Sequence, residues 1–187
     1  MNKYLQSGRS KQKLKTRNKI LDSAQKFLSE GENFTLEAVA EEAGLSRATI
    51  YRYYSNVELL AAEAALDVYT QTPEAIYSGL SEKSLAEIML GIQDYFNRLA
   101  LDHEASFRKF LSITLSSSQE MPKRGARRIE TLKLALGSRH ADLKQEELQN
   151  FTYLATVLMG AEAIIVTKDV CQLDNKKSRE VLQWGLE

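Results

Sequence analysis

The sequence predicts an all-α fold. Apolar residues recur with the 3.6-residue period of an amphipathic helix. One such stripe comprises Leu85, Ile88, Met89, Ile92, Phe96 and Leu99. No segment alternates apolar and polar residues with the period of two that is typical of strands. The chain also has only two prolines, and N-cap residues precede most of the apolar stripes.

These start signals divide the chain into about nine helices. The first helix contains the stripe formed by Ile20, Ala24, Phe27 and Leu28. The predicted N-caps of the following helices are Thr35, Ser46, Ser55 or Asn56, Ser84, Asp102, Asp142 and Asp174. The helix that starts at Asp142 is expected to be long, near 143–169. Loops are expected near 71–83, 116–125 and 137–142.

Charge is distributed unevenly along the chain, although the formal net charge is zero. Residues 1–20 hold seven Lys or Arg residues and no Asp or Glu, so the remainder has a net charge of −7. A basic N-terminal arm on an acidic body indicates a polyanionic partner at one end. The alternative is a solvated tail without a partner.

Cysteine usage and hydropathy indicate a cytoplasmic protein. Cys171 is the one cysteine, so no disulfide can form within the chain. The longest apolar run, 154–166, contains Glu162 and is shorter than the roughly 20 residues that span a bilayer. The N-terminus has no continuous apolar segment of the kind found in signal peptides.

Residues 36–55 have the pattern of a helix-turn-helix. Two short helices that cross at a steep angle need a small residue where they touch, and Ala40 is suitable. The turn needs a residue that accepts positive φ, and Gly44 is suitable. The apolar residues that would face the first helix are Val39, Ala43, Leu45, Ile50 and Tyr53.

The second helix of this motif is expected to contact DNA. Ser46 is its N-cap, and the N-terminal residues of a recognition helix face base edges in the major groove. Arg47 can form a bidentate contact with guanine, and the methyl groups of Ala48 and Thr49 can contact thymine. Further along, Tyr51, Arg52 and Tyr54 can reach phosphates, whereas Tyr53 is expected to pack inside. The alternative is a tyrosine-rich core helix with solvated arginines.

The segment 34–60, FTLEAVAEEAGLSRATIYRYYSNVELL, resembles the DNA-binding domain of the TetR family of transcriptional regulators. The resemblance covers about a seventh of the chain. It implies that Thr35 caps a helix and touches a phosphate, that Ser46, Arg47, Ala48 and Thr49 lie in the groove, and that Tyr51, Arg52 and Tyr54 contact the DNA backbone or bases. Asn56 would cap the next helix and direct its N-terminus at a phosphate. Members usually carry a lysine after this cap, whereas this chain has Val57. One phosphate contact is therefore missing, and the basic arm at 1–19 is expected to compensate by reaching an adjacent minor groove.

The resemblance divides the chain into residues 1–60, the basic arm and helix-turn-helix domain, and residues 61–187, a helical ligand-binding and dimerisation domain. The last two helices would form a four-helix bundle across a two-fold axis. The run 154–166 is apolar on nearly every face, so it needs cover on more than one side. The expected interface residues are Phe151, Leu154, Leu158, Ile165, Leu182 and Trp184. The alternative is a central core helix in a monomer.

A ligand pocket is expected between the stripe at 85–99 and its neighbours. Its candidate wall residues are Met89, Tyr95, Phe96, Phe107, Phe110, Met159 and Glu162. For each of the apolar residues taken singly, ordinary core packing is favoured over contact with a ligand. The Glu162 carboxylate either binds a ligand or forms a hydrogen bond to a neighbouring helix.

Residues for enzymatic chemistry are not grouped in the sequence, so we expect neither an enzyme nor a cofactor or metal site. His103 and His140 lie in unrelated segments, and no metal-ligand spacing or glycine-rich phosphate loop occurs. Cys171 has no nearby histidine in sequence, which favours a structural or surface thiol and leaves redox sensing open.

Together these patterns predict a homodimeric repressor that binds a palindromic operator and is released by a small molecule. Two other classes of protein stay open at this point. One is an activator or architectural DNA-binding protein that senses no ligand. The other is an all-α enzyme or ligand carrier that retains the helix-turn-helix as scaffold.

Overall fold

The computed structural model describes residues 3–116, 126–137 and 144–187, with side chains from residue 12 onward. The all-α prediction is confirmed, because these residues form helices and connecting segments without a strand. The helices are α1 (Lys3–Glu30), α2 (Leu36–Glu42), α3 (Arg47–Tyr53), α4 (Val57–Asp67), α5 (Pro73–Ser78), α6 (Leu85–Asp102), α7 (Glu104–Ser116), α8 (Ala126–Gly137), α9 (Gln145–Val157), α10 (Ala161–Ile165) and α11 (Asn175–Trp184). A π-helical turn, Val166–Val170, continues α10.

The described residues form two compact units. The first comprises residues 3–69 and 108–116, which are α1 to α4 and the C-terminal part of α7. The second comprises residues 70–107, 126–137 and 144–187. The boundary expected from the sequence, after residue 60, lies inside α4.

The core of the first unit lies between α1, α2, α3 and α4. Its buried apolar residues are Ile20, Leu21, Ala24, Leu36, Val39, Ala40, Ile50, Tyr54, Leu59, Leu60 and Ala64. The stripe predicted for α1 is correct for Ile20 and Ala24, whereas Leu28 is exposed. An ion pair between Arg17 and Glu63 joins α1 to α4, and Gln25 donates a hydrogen bond to Asp67 at 3.1 Å beside it. These polar contacts fix how α1 lies on α4.

The core of the second unit is built around α6. Its buried apolar residues are Ile76, Ile88, Met89, Ile92, Phe96, Leu132, Ala135, Leu136, Ala155 and Met159. A capping box between Ser84 and Glu87 starts α6, as the sequence predicts. The loop predicted at 71–83 is wrong in part, because it contains α5, which begins at Pro73 after the N-cap Thr72.

The long helix predicted near 143–169 is interrupted, and that prediction is wrong. The chain leaves α9 after Val157 and starts α10 at Ala161, with a bend of 49° between the two segments. Gly160 lies in the break with φ +84° and ψ −166°, a conformation that other residues rarely adopt. No single helix of the described residues is long and apolar enough to cross a membrane, although this bent pair passes by length and composition.

Side chains from α6 and α8 bind the backbone groups that the interruption exposes. Gln93 donates to the Leu158 carbonyl at 2.9 Å and to the Leu182 carbonyl at 2.6 Å. Asn97 accepts from the Gly160 amide at 2.7 Å. Arg128 donates to the Met159 carbonyl at 2.6 Å. Because these partners are distant in sequence, the interruption could not be predicted from 143–169 alone.

The loops predicted at 116–125 and 137–142 fall almost entirely outside the described residues, and so does Asp142, the predicted cap of the long helix. Where the structure resumes, Lys144 precedes α9 and Glu147 accepts a hydrogen bond from its amide at 2.9 Å. This contact starts α9 close to the position that the sequence predicts.

Candidate nucleic-acid interface

The turn between α2 and α3 has the geometry of a helix-turn-helix. Gly44 has φ +64°, as predicted, and its amide donates to the Glu41 carbonyl at 3.0 Å. The Leu45 amide then donates to the Ala40 carbonyl at 2.8 Å, which closes the end of α2. A Cβ at Gly44 would meet no atom within 4 Å, so backbone conformation is the reason for glycine here.

The apolar residues predicted to join α2 and α3 are buried to different degrees. Val39 and Ile50 are fully buried, and Ala40 is 2% exposed. Ala43, Leu45 and Tyr53 are half-buried. The crossing is therefore fixed by three residues at its centre, and this leaves the opposite face of α3 in solvent.

Three side chains cap the N-termini of α2, α3 and α4, as predicted. Thr35 accepts a hydrogen bond from the Ala38 amide at 3.2 Å, and Ser46 accepts one from the Thr49 amide at 3.2 Å. Asn56 accepts one from the Leu59 amide at 2.8 Å. Helix N-termini carry partial positive charge and unpaired amides, which favour contact with phosphate.

The first turn of α3 is open to solvent. The Arg47 side chain is 74% exposed, and Ala48 is exposed beside it. The Thr49 hydroxyl lies 2.9 Å from that of Ser46. Tyr51 and Arg52 are exposed further along the helix. The residues predicted to contact DNA at this end of α3 are thus accessible to a partner.

Tyr54 is the exception among the predicted DNA-contacting residues, because it is only 1% exposed. The helix ends at Tyr53, and Tyr54 has extended backbone, φ −135° and ψ 125°, so the helical period no longer sets its direction. Burial raises the pKa of Tyr54 to about 12, although Arg17 opposes this shift. The expectation that Tyr54 contacts DNA is therefore corrected: its ring belongs to the core.

Tyr53, which was expected to pack inside, takes an intermediate position. Its hydroxyl donates to the Lys13 carbonyl of α1 at 3.4 Å, and the Arg52 guanidinium lies 5.8 Å from its ring centroid. Tyr53 therefore packs against the core only in part, whereas Tyr54 is fully inside it.

Glu37 on α2 is a member of this site that sequence reasoning missed. Its Oε1 accepts a hydrogen bond from the Tyr51 hydroxyl at 2.7 Å and lies 3.0 Å from Nη2 of Arg47. The hydrogen bond from Tyr51, a backbone hydrogen bond and the charge of Arg47 hold the pKa of Glu37 below its ordinary value. The only sequence signal was a carboxylate two residues after the cap Thr35, which is also usual at any helix N-terminus.

The family model described as bacterial regulatory proteins of the tetR family matches residues 20–64. The match contains the C-terminal part of α1, all of α2 and α3, and most of α4. Residues 20–64 are therefore similar to the DNA-binding domain of tetR-family regulators. The regulator therefore has an N-terminal helix-turn-helix DNA-binding domain, which makes it a DNA-binding transcriptional regulator. No curated protein and no solved structure matches the chain.

The ligand-pocket residues predicted from the sequence are dispersed in the structure. Met89, Phe96 and Met159 are buried in the core of the second unit, and Tyr95 accepts from the Gln71 amide at 2.8 Å. Phe107 is half-buried in the second unit, whereas Phe110 packs against the core of the first. Only Glu162 of this set lines the cleft that the structure shows.

That cleft of about 440 Å³ lies in the second unit of the regulator, beside α9 and α10. Val157, Leu158, Val166 and Leu182 give it mainly apolar walls. Polar groups enter at one side, where Nη2 of Arg128 lies 3.0 Å from Oε2 of Glu162. Glu162 thus forms an ion pair with Arg128 of α8. This contact is similar to the hydrogen bond to a neighbouring helix that the sequence analysis gave as the alternative to ligand binding.

The predicted interface residues of the regulator differ in exposure. Leu154 and Trp184 are 56% and 75% exposed, whereas Leu182 is buried. Phe151, Leu158 and Ile165 are half-buried. The sequence missed five further exposed apolar residues on these helices and the π-helical turn, namely Tyr153, Val157, Val166, Val170 and Val181.

Other chemistry is sparse in the described part of the regulator. No group of three His, Cys, Asp or Glu residues there is arranged to hold a metal ion. Cys171 is exposed at the end of the π-helical turn.

Proposed function

We propose that the regulator is a homodimeric repressor, which binds a palindromic operator in the bacterial cytoplasm and is released by a small molecule. The observation that carries this proposal is the exposed first turn of α3, held by the capped turn at Ser46. A recognition helix inserts this end into the major groove. The repressor role rests on the family resemblance.

Each exposed residue has a distinct proposed role on DNA. Arg47 contacts guanine through two N–H groups, and the Ala48 and Thr49 methyl groups contact thymine. Ser46 lies at the groove edge, where its hydroxyl is within reach of a phosphate. Tyr51 and Arg52 contact the backbone of the duplex.

The capped N-termini of α2 and α4, at Thr35 and Asn56, are proposed to contact phosphates on either side of α3. The basic arm at residues 1–19 adds attraction that does not depend on base sequence. These contacts position the protein on the duplex, and the first turn of α3 provides the base preference.

Dimerisation is supported by apolar surface on the second unit. Five large apolar residues of this unit are each more than half exposed, namely Leu154, Val157, Val166, Val170 and Trp184. Exposure of apolar surface to water is unfavourable, and a group of such residues is typical of an interaction site. A second copy that packs against α9, the π-helical turn and α11 would cover them. Two-fold symmetry would then present two copies of α3 to the DNA. These two helices would match a palindromic site whose half-sites are one or more helical turns of DNA apart, at roughly 34–36 Å per turn.

The cleft beside α9 is the proposed effector site. Its volume of about 440 Å³ is typical of small-molecule sites, and its apolar walls with one ion pair suit a mainly apolar molecule. Val157 and Val166 line the cleft and are also part of the exposed apolar surface. An occupant can therefore change how two copies pack. It shifts the protein from the DNA-binding state only by its differential affinity for the two states.

The test is selection of bound sequences from a random duplex pool, combined with sedimentation of the purified protein. We expect a dimer and enrichment of an inverted repeat, and release of the best duplex by some members of a panel of apolar small molecules. A dimer that enriches a palindrome but responds to no small molecule would support the ligand-independent DNA-binding class. Absence of salt-sensitive duplex binding would contradict the regulator and support the scaffold class.

A further inference from the structure

Glu37 connects α2 to the exposed face of α3 through two contacts with one oxygen atom. Oε1 accepts from the Tyr51 hydroxyl at 2.7 Å and lies 3.0 Å from Nη2 of Arg47. The Arg47 guanidinium also lies 5.6 Å from the centroid of the Tyr51 ring. The three side chains therefore form a closed set, in which each contacts the other two.

We propose that Glu37 is a positioning residue for DNA recognition, which holds Arg47 ready for one base pair and weakens the sequence-independent attraction to the duplex backbone. The inference rests on the proposed function, because it assumes that Arg47 contacts a base.

The first part follows from the geometry of arginine. A long side chain that is 74% exposed loses much rotamer freedom when it binds a base edge. The contacts with Glu37 and Tyr51 restrict Arg47 before DNA arrives, so less freedom remains to be lost. Guanidinium has five N–H donors, and the contact of 3.0 Å to Glu37 is made by Nη2. The other nitrogens remain for the bidentate contact with O6 and N7 of guanine.

The second part follows from charge. No acid occurs in 44–56, and Glu37 of α2 brings a carboxylate into contact with this face of α3. Its negative charge offsets that of Arg47 and repels the phosphate backbone of any duplex. The pKa of Glu37 lies below its ordinary value, so the carboxylate stays ionised at neutral pH. Repulsion that is the same for all sequences lowers every affinity by the same factor, so the gain in discrimination comes from the better presentation of Arg47 to its base pair.

The competing explanation is that Glu37 only braces α2 against α3. A brace would change the stability of the unit and the affinity for every duplex by the same factor. It would not change the relative affinity for duplexes that differ at one base pair. Base preference at a single position therefore separates the two explanations.

The experiment uses the full chain and three probes. These are the most enriched duplex from the random-pool selection, its variants at single base pairs, and a random-sequence duplex of equal length. The proteins are wild type, Glu37→Gln, Arg47→Ala and the double variant. Glu37→Gln keeps an oxygen acceptor for Tyr51 and removes the charge. Glu41→Gln is the matched control, because Glu41 is exposed on the same helix one turn further on.

We expect Glu37→Gln to bind the random duplex several-fold more tightly than wild type. At the base pair that loses preference in Arg47→Ala, its discrimination should fall about five- to tenfold, part of what a bidentate contact provides. In the Arg47→Ala background, Glu37→Gln should not change discrimination further. Tyr51→Phe, which removes one of the two contacts, should reduce discrimination at the same base pair by a smaller factor. It provides a second test if Glu37→Gln does not fold.

Unchanged discrimination in Glu37→Gln and Tyr51→Phe, with wild-type preference intact, would overturn the inference. The same holds if Glu41→Gln reproduces the effect, since net charge alone would then explain it, or if Glu37→Gln acts equally without Arg47. A wild-type protein that prefers no duplex would contradict the proposed function and the inference with it.

Discussion

Replacing Gly160 with alanine tests how the break between α9 and α10 is built. Gly160 has φ +84° and ψ −166°, a combination that is essentially restricted to glycine. A Cβ at this position would lie 2.8 Å from Nη1 of Arg128 and 3.3 Å from its Cδ. The substitution therefore strains the backbone and also displaces a side chain that binds the break.

The magnitude follows from these two effects. A non-glycine residue in such a conformation costs about 1–3 kcal/mol. If Arg128 moves, the hydrogen bond from its Nη1 to the Met159 carbonyl at 2.6 Å is lost, and hydrogen bonds to charged groups contribute about 1.5–3 kcal/mol. We expect Gly160→Ala to lower the free energy of unfolding by about 3–5 kcal/mol. That is a large share of the 5–15 kcal/mol typical of proteins.

The assay is urea unfolding of the full chain followed by circular dichroism. The matched control is Gly79→Ala at the end of α5, where φ is −67° and the nearest atom to a Cβ is 3.7 Å away. This control should change the free energy of unfolding by less than about 1 kcal/mol, because alanine accepts that conformation. A Gly160→Ala protein as stable as Gly79→Ala would refute the reasoning on the break.

Three further predictions concern pH, salt and self-association. Since burial raises the pKa of Tyr54 to about 12 from an ordinary 10.0, the stability that depends on its neutral phenol is complete below pH 10 and is lost as pH rises towards 12. The free energy of unfolding of wild type, measured in urea, should therefore fall by about 2–3 kcal/mol more than that of Tyr54→Phe over this pH range. An equal pH dependence of the free energy of unfolding in the two proteins would contradict the burial of Tyr54. Deleting residues 2–13 removes four basic residues, so the slope of log affinity against log salt should fall by up to about 3–4; an unchanged slope would show that the arm does not neutralise phosphates. Val157→Glu, at a residue 70% exposed, should convert the dimer to monomer in sedimentation, whereas Val68→Glu, at a residue 63% exposed in the first unit, should not; a Val157→Glu dimer would place the interface elsewhere.

The DNA-binding motif could be predicted from the sequence because its signals are local. The caps Thr35, Ser46 and Asn56 bind amides three residues further on, and Gly44 is required by its own φ. Such interactions depend only on neighbours in the chain. The positions of α2 and α3 and the exposure of Arg47 therefore followed from a short stretch of residues.

The failures occur where distant residues decide the structure. At the break around Gly160, the backbone groups form hydrogen bonds with side chains of other helices, namely Gln93, Asn97 and Arg128. Periodicity alone predicted one continuous helix, because the apolar residues on both sides of Gly160 satisfy the same pattern. Glu37 was missed for a similar reason, since its contacts with α3 depend on how two helices cross.

Tyr54 was misplaced because a helix boundary changes side-chain direction. The expected DNA contact of Tyr54 rested on its place after Tyr51 and Arg52 and on the family resemblance, and neither indicates that α3 ends one residue before it. Phe110 shows the same limit at the level of whole units. The sequence predicts a helix after Asp102, but it does not indicate that Phe110 packs against the core of the first unit.

The most direct test of the central claim is a comparison of the duplexes selected by wild type and by Arg47→Ala. If the first turn of α3 contacts base edges, the variant should lose the preference for one guanine in each half-site and bind the wild-type duplex about 1–3 kcal/mol more weakly. Its preference at the other positions should remain. Identical selected sequences and equal affinity for the two proteins would contradict the claim that Arg47 recognises DNA.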